Sequence, residues 1–261
     1  MLLSKKIRSL LRKIPGARKL YGIIRRKSIL FKLFGKLVDA TYIMDGIITT
    51  ANCDFMKDPE FIKARKSGDN HEEISNAGYW TRHIQLWAVS YAKNLKGDFI
   101  ECGVNRGGGA IATMIYIDFK SLKNRTYYLF DTFNGLDKEF STEEEYLTYE
   151  GVYPDCYEEV KNIFKDYSNV VIVKGPVPTT LSKVDIQKVA YLHIDMNSAL
   201  PEKEAIKYFW PKLESGGIIL FDDYGRPGHE NQKKVADDFA LSVNAKILSL
   251  PTGQGLMIKL L

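Results

Sequence analysis

The stretch "VAYLHIDMNSALPEKEAIKYFWPKLESGGIILFDDYG", residues 189–225, contains two short apolar runs separated by a polar segment of helix-forming residues. The runs have the length of buried strands, and Pro201 can begin the helix between them. Short apolar strands that alternate with helices indicate a parallel sheet covered by helices on both faces. This stretch therefore predicts an α/β fold.

The same alternation extends over residues 97–261. Three more strands are predicted before residue 189, in "GDFIECGV", "TYYLFDTF" and "NVVIVKG". "GGGAIATMIYIDFKSL" and "HENQKKVADDFALSV" have helical patterns, and "AKILSLP" with "LMIKLL" predicts a closing hairpin. The prediction is a mostly parallel seven-stranded sheet with helices on both faces and a C-terminal antiparallel hairpin.

Three parts are expected along the chain of 261 residues, whose 45% apolar and 26% charged composition is ordinary for a soluble globular protein. Residues 1–38 form a basic amphipathic N-terminal arm, and residues 39–96 form a helical N-terminal cap. Residues 97–261 form the sheet domain. An acidic, tyrosine-rich insertion within it, residues 137–159, is expected to lie over the sheet edge as a lid.

The basic charge is concentrated in residues 1–36, which hold twelve of the 37 Lys and Arg residues and no Asp or Glu. Two interpretations remain open: peripheral contact with an anionic membrane, or packing on the body or on a second subunit of a homo-oligomer. No apolar run approaches the ~20 residues of a membrane span. Nucleic acid is not an expected partner, because the rest of the chain is net acidic.

Cysteine is sparse in this chain. Three scattered cysteines without a C-x-x-C pair favour a reducing compartment over a disulfide framework. The predicted location is therefore the cytoplasm, or the inner membrane face if the arm binds lipid.

Polar residues follow the predicted strands at the edge where ligands of parallel sheets bind. "FIECGVNRGGGAIAT" does not fit the dinucleotide pattern G-x-G-x-x-G, but it fits E-x-G-x-x-x-G, the first motif of S-adenosylmethionine (SAM) methyltransferases. Asp131 is placed to accept the ribose hydroxyls. Arg106 has two open interpretations: it contacts the carboxylate of SAM, or it is exposed to solvent. The predicted cofactor-binding residues are Glu101, Gly103, Arg106, Gly107, Gly108, Asp131, Thr132, Phe133 and Gly175.

Three carboxylates follow the fourth and fifth strands of the domain: Asp195, Asp222 and Asp223. Because neighbouring parallel strands end at the same edge, these side chains predict an oxygen-rich site for Mg²⁺ or a similar divalent cation. The alternative is that one of the adjacent pair caps the following turn or helix.

Four segments resemble the macrocin and mycinamicin O-methyltransferase family: "GDFIECGVNRGGGAI", "LFDTFNGL", "HIDMNSALPEKEAIKYFWPKLESGGIILFDDYG" and "PTGQGLMIK". The resemblance covers roughly residues 50–261. The resemblance implies a Rossmann-like class I methyltransferase that uses SAM and Mg²⁺ to methylate sugar hydroxyls. It implies that Glu101, Gly103, Asp131 and Gly175 lie near SAM, and that Asp195, Asp222 and Asp223 bind the metal.

Two departures from the family pattern concern the catalytic base. The family carries D-G-D after the fourth strand, whereas this chain has Asp195-Met196-Asn197. The family also places a histidine base in the loop after the second strand, but residues 132–192 of this chain contain no histidine. The predicted catalytic residues are Asp195, through the cation, and His229 as general base; the alternative for His229 is a helix cap. Tyr149, Glu150 and Asp155 are weaker candidates for the base, and His193 is interpreted as a core histidine.

The predicted activity is SAM- and metal-dependent O-methylation of a sugar hydroxyl on a glycan, a sugar nucleotide or a glycosylated natural product. One alternative is a metal-dependent glycosyltransferase, although Asp195-Met196-Asn197 lacks the second acid of D-x-D. Another is a non-catalytic subunit of a glycan-assembly complex, which the intact acidic residues disfavour.

Overall fold

The computed structural model describes residues 37–71 and 77–260. The chain divides into two compact units, Met1–Asp54 and Phe55–Leu261. The predicted basic segment, residues 1–36, lies outside the described residues. Within the part that is described, no helix combines the length and apolar composition needed to cross a membrane.

The described part of the first unit is a β-hairpin of β1 (Tyr42–Met44) and β2 (Ile47–Thr49). Asp45 and Gly46 both have positive φ, 57° and 77°, as a two-residue hairpin turn requires. The helical prediction for residues 39–96 does not account for the turn signal of Asp45-Gly46. The helical prediction for residues 39–96 is therefore wrong for this segment.

The second unit contains a seven-stranded sheet and seven α-helices among its described residues. Its strands are β3 (Asp98–Cys102), β4 (Tyr127–Asp131), β5 (Val170–Lys174), β6 (Val189–Ile194), β7 (Leu213–Phe221), β8 (Leu248–Ser249) and β9 (Gly255–Ile258). Its helices are α1 (Pro59–Asp69), α2 (Tyr79–Ala92), α3 (Gly108–Tyr116), α4 (Glu143–Tyr149), α5 (Tyr157–Phe164), α6 (Ala199–Phe209) and α7 (Glu230–Ser242).

The strand order is β5-β4-β3-β6-β7-β9-β8. The first five strands in this order are parallel, and β9 pairs antiparallel with both β7 and β8. The predicted sheet and its C-terminal hairpin are confirmed. The chain order reverses between β3 and β6, and such a switch point opens a crevice at the carboxyl ends of the strands.

Helices cover both faces of the sheet, because side chains alternate along each buried strand. Phe61 of α1, Leu86 of α2 and Ala110 of α3 pack in one core cluster, and Ala205 of α6 and Ala236 of α7 pack in the other. Helices α1 and α2 thus share a core with the sheet. They belong to the body that begins at Phe55, rather than to a cap that ends at residue 96.

The predicted lid, residues 137–159, contains α4 and the beginning of α5. Helix α4 starts with a capping box: the Thr142 hydroxyl accepts from the backbone N–H of Glu145, and the Glu145 carboxylate accepts from the backbone N–H of Thr142. The T-x-x-E spacing in the sequence therefore sets where this helix begins.

Candidate active site

The crevice is built on close backbone contacts between the ends of β3, β6 and β7. The N–H of Asp195 donates to the Cys102 carbonyl at 2.8 Å, and the N–H of Asp222 donates to the Ile194 carbonyl at 3.0 Å. A Cβ on Gly103 would lie 2.0 Å from the Asp195 carbonyl oxygen, and φ of Gly103 is +94°. Only glycine fits at this position, both sterically and conformationally.

Asp131 holds the glycine-rich loop. Its Oδ2 accepts the backbone N–H groups of Val104 and Asn105 at 2.6 and 2.7 Å, and its Oδ1 accepts the N–H of Phe133 at 2.6 Å. Burial raises the pKa of Asp131, while these backbone donors oppose the shift. The structure thus gives Asp131 a role in positioning the loop, and its predicted contact with ribose stays a prediction.

The other predicted cofactor residues surround this loop. Gly107 has φ +79° at the N-cap of α3, and Gly108 is the first residue of that helix. The N–H of Gly175 donates to the Asp131 carbonyl at 2.9 Å. Arg106 forms an ion pair with Glu159 of α5 at 2.5 Å, so it contacts the lid as well as belonging to the loop.

Glu101 is buried within β3, the strand that precedes the glycine-rich loop. Its side chain is 2% exposed, and its Oε2 accepts the Tyr127 hydroxyl at 2.6 Å. Direct contact of Glu101 with SAM therefore remains a prediction that this position alone does not support.

Two of the three acids predicted to bind a cation lie together, and a histidine lies with them. His193, Asp195 and Asp222 each offer one ligand atom, and these three atoms lie within 4.8 Å of one another. Asp223 Oδ1 lies 3.1 Å from Arg226 Nε and its Oδ2 lies 3.4 Å from His229 Nδ1. Arg226 also pairs with Asp222, with Nη2 3.4 Å from Oδ2. The sequence analysis placed Asp223 with the other two acids and left His193 in the core.

The charges of this cluster perturb one another. Burial and the charges of Asp222 and Asp223 raise the pKa of Asp195 well above its usual value. Burial acts in the same direction on Asp222, but Arg226 and His193 hold the pKa of Asp222 below its usual value. A cation at this position would remove the repulsion that the carboxylates impose on one another.

His229 links the crevice to the lid. Its Nε2 lies 3.2 Å from the Tyr149 hydroxyl, and its Nδ1 lies 3.1 Å from Gln232 Nε2 and 3.4 Å from Asp223 Oδ2. His229 occupies the N-cap position of α7, yet its side chain makes no capping hydrogen bond. Of the two interpretations of His229, this geometry favours the base over the cap.

The sequence profile described as Macrocin-O-methyltransferase (TylF) matches residues 84–247, which is more than half of the chain. The chain belongs to the macrocin O-methyltransferase family. It is therefore a SAM-dependent O-methyltransferase, as the motifs predicted. Membership in this family displaces the glycosyltransferase alternative.

Two O-methyltransferases are similar to this chain in sequence. The chain is 24% identical over 206 residues to mycinamicin III 3''-O-methyltransferase of Micromonospora griseorubida, covering 72% of this chain and 78% of that protein. It is 26% identical over 141 residues to demethyldecarbamoylnovobiocin O-methyltransferase of Streptomyces niveus, covering 50% of this chain and 54% of that protein.

Solved structures support the same fold. The O-methyltransferase NovP superposes with a TM-score of 0.64 at 18% identity, over 94% of this chain and all of that one. The calicheamicin methyltransferase CalS11 superposes with a TM-score of 0.52 at 16% identity, over 80% of this chain and 93% of that one. The Rossmann-like methyltransferase fold expected from the sequence is confirmed.

Glu145 is a residue that the sequence analysis missed. Besides its capping role, its Oε1 accepts the backbone N–H of Ala199 at 3.1 Å and its Oε2 accepts the Ser198 hydroxyl at 3.2 Å. One buried carboxylate in this O-methyltransferase thus joins the start of the lid helix α4 to the start of α6. The capping-box spacing was the available signal.

Replacing Glu145 with Ala is expected to lower the free energy of unfolding by about 2 kcal/mol, because the Ala199 N–H and the capping contact lose their acceptor. Chemical denaturation measures the change. Glu144→Ala is the matched control, since Glu144 is exposed on the same helix turn. Equal unfolding midpoints for the two variants would contradict the role given to Glu145.

Proposed function

We propose that this O-methyltransferase transfers the methyl group of SAM to a sugar hydroxyl of a glycan, a sugar nucleotide or a glycosylated natural product. The relatives support a sugar acceptor, since one is a mycinamicin III 3''-O-methyltransferase and another is a 4'-O-methyltransferase of a rhamnosyl-tetracenomycin. CalS11 is described as a TDP-rhamnose 3'-O-methyltransferase.

The observation that carries this proposal is the contact between Gly103 and Asp195. The glycine loop proposed to hold SAM meets the backbone of the acid proposed to hold the acceptor through a cation, with no room for a Cβ between them. Methyl transfer needs the donor and the nucleophile close together and in line, so positioning supplies much of the rate.

The acidic side chains fit a divalent cation. Asp195 and Asp222 bring carboxylate oxygens within 4.8 Å of each other, and Asp223 adds a third negative charge beside them. A divalent cation bound by Asp195 and Asp222, with the negative charge of Asp223 beside them, would lower the pKa of a chelated sugar hydroxyl.

His229 is the proposed general base. The tautomer with its proton on Nδ1 donates to Asp223, with the Gln232 amide turned so that its oxygen faces this nitrogen. Nε2 is then left to accept a proton, and Tyr149 already contacts Nε2 from the lid. Tyr149 either passes the proton to Nε2 or yields its position to the acceptor hydroxyl.

The location and assembly of the chain complete the proposal. We propose that it acts in the cytoplasm as a homo-oligomer. Contact with anionic lipid through residues 1–36 would bring it to membrane-proximal glycans.

Calorimetric titration tests the donor side of this function. S-adenosylhomocysteine is expected to bind the full-length chain, because it shares the adenosine and carboxylate groups that the glycine loop would recognise. UDP-sugars titrated in the absence of the methyl donor serve as the comparison. Binding of a UDP-sugar without any binding of S-adenosylhomocysteine would contradict the proposal.

A further inference from the structure

His193 is a buried histidine that the fold leaves unsatisfied. Its side chain lies on β6 and is 5% exposed. Neither ring nitrogen has a hydrogen-bond partner among the residues that the structure describes. A buried polar group without a partner loses its hydration and gains no hydrogen bond in exchange, which destabilises the fold. If His193 were only a core residue, no hydrogen bond in the described structure would offset this cost.

The imidazole is directed toward the acidic cluster. His193 and Asp195 are two residues apart where β6 ends, so their side chains leave the same face of the sheet. One ring nitrogen lies within 4.8 Å of a carboxylate oxygen of Asp195 and of one of Asp222. Ligand atoms on opposite sides of an ion with bonds of about 2.1 Å are about 4.2 Å apart. Small side-chain movements would therefore place all three atoms around one ion.

Glu101 is a second carboxylate near the ring. Its Oε2 is 3.8 Å from His193 Nδ1 and already accepts the Tyr127 hydroxyl. Histidines that bind metals commonly donate their second ring N–H to a carboxylate, which fixes the tautomer and the ring orientation. Glu101 is placed for that role, which also explains why a carboxylate is buried under the glycine loop.

We propose that His193 is a nitrogen ligand of the cation in this site, with Glu101 as the carboxylate that orients its ring. This inference rests on the proposed function, which it deepens by assigning the cation's ligands. A set of one imidazole and two or more carboxylates suits first-row transition ions better than Mg²⁺, which prefers oxygen ligands. Mn²⁺, which accepts both donor types, is the expected class of cation.

Electron paramagnetic resonance of the full-length chain with Mn²⁺ tests this assignment. Bound Mn²⁺ is expected to show the electron spin echo modulation of a directly coordinated imidazole ¹⁴N. The modulation should change to the ¹⁵N pattern in protein labelled with ¹⁵N-histidine, a measurement that needs no variant. His193→Gln should remove the modulation and weaken Mn²⁺ binding by about tenfold or more, while S-adenosylhomocysteine still binds.

His229→Gln is the matched control, because His229 is the other histidine beside the acids. It should retain the imidazole modulation. Mn²⁺ that binds without imidazole coupling, or coupling that only His229→Gln removes, would overturn the role of His193 and leave the proposed function standing. A wild-type chain that binds no Mn²⁺ would overturn the inference, and one that binds neither Mn²⁺ nor Mg²⁺ would also overturn the cation in the proposed function.

Discussion

Asp195→Asn is expected to lower kcat/KM for methyl transfer by about 10³-fold, which corresponds to about 4 kcal/mol of transition-state stabilisation. Asp195 belongs to the group of potential ligands, and its backbone adjoins the glycine loop at Gly103. An amide keeps the shape of the side chain but loses the charge that a divalent cation needs. Steady-state kinetics with saturating SAM measure the loss.

The stability of the same variant should change in the opposite direction. The pKa of Asp195 is raised in the folded chain, so its ionised form destabilises the cation-free fold at neutral pH. That destabilisation is absent at low pH and develops as the pH rises through the raised pKa. In EDTA at neutral pH, Asp195→Asn should therefore unfold at a higher urea concentration than the wild type.

Asp238→Asn is the control for this pair of measurements, because Asp238 is exposed and pairs only with the neighbouring Lys234 in the described structure. It should leave both activity and the unfolding midpoint unchanged. If Asp195→Asn kept wild-type activity, the cation site would be wrong. If it lost activity by unfolding, the electrostatic account of the cluster would be wrong.

Gly103→Ala is expected to lower the free energy of unfolding by about 3–5 kcal/mol. The new methyl group would collide with the Asp195 carbonyl at 2.0 Å, and alanine would have to adopt φ +94°. The backbone of Asp195 cannot give way cheaply, because its N–H is bonded to the Cys102 carbonyl. Urea unfolding measures the loss, and a chain that fails to fold is the extreme of the same result.

Gly151→Ala separates steric collision from backbone strain. Gly151 also has a positive φ, +67°, but a Cβ there meets nothing within 4 Å. It should cost only about 1 kcal/mol. Equal losses for the two variants would show that the ends of β3 and β6 are not in contact, which would remove the observation on which the proposed function rests.

The succession of strands along the chain and the residues at their ends were predictable. Buried parallel strands are short apolar runs in the sequence, and they end where polar residues begin. Asp195 and Asp222 lie close together because β6 and β7 are neighbours in the sheet. The hairpin at Tyr42–Thr49 was predictable too, because Asp45-Gly46 is a turn signature. It was not predicted because the whole segment, residues 39–96, was interpreted as helical.

Other features depend on partners from distant elements. The sequence places His193 two residues before Asp195, but whether a core histidine is satisfied depends on what β3 brings beside it, which is Glu101 at 3.8 Å. Likewise, Asp131 at the end of β4 suggested ribose binding. The fold directs Asp131 onto the backbone of the neighbouring loop.

Turnover with ¹³C-methyl-labelled SAM is the most direct test of the central claim. The full-length chain would be incubated with a panel of sugar nucleotides and glycosylated compounds, with EDTA or with added Mn²⁺ or Mg²⁺, and the products analysed by NMR. The account predicts a new ¹³C O-methyl signal on a sugar hydroxyl that EDTA abolishes and a divalent cation restores. Methyl transfer that EDTA leaves intact, or a label on nitrogen or carbon, would contradict it.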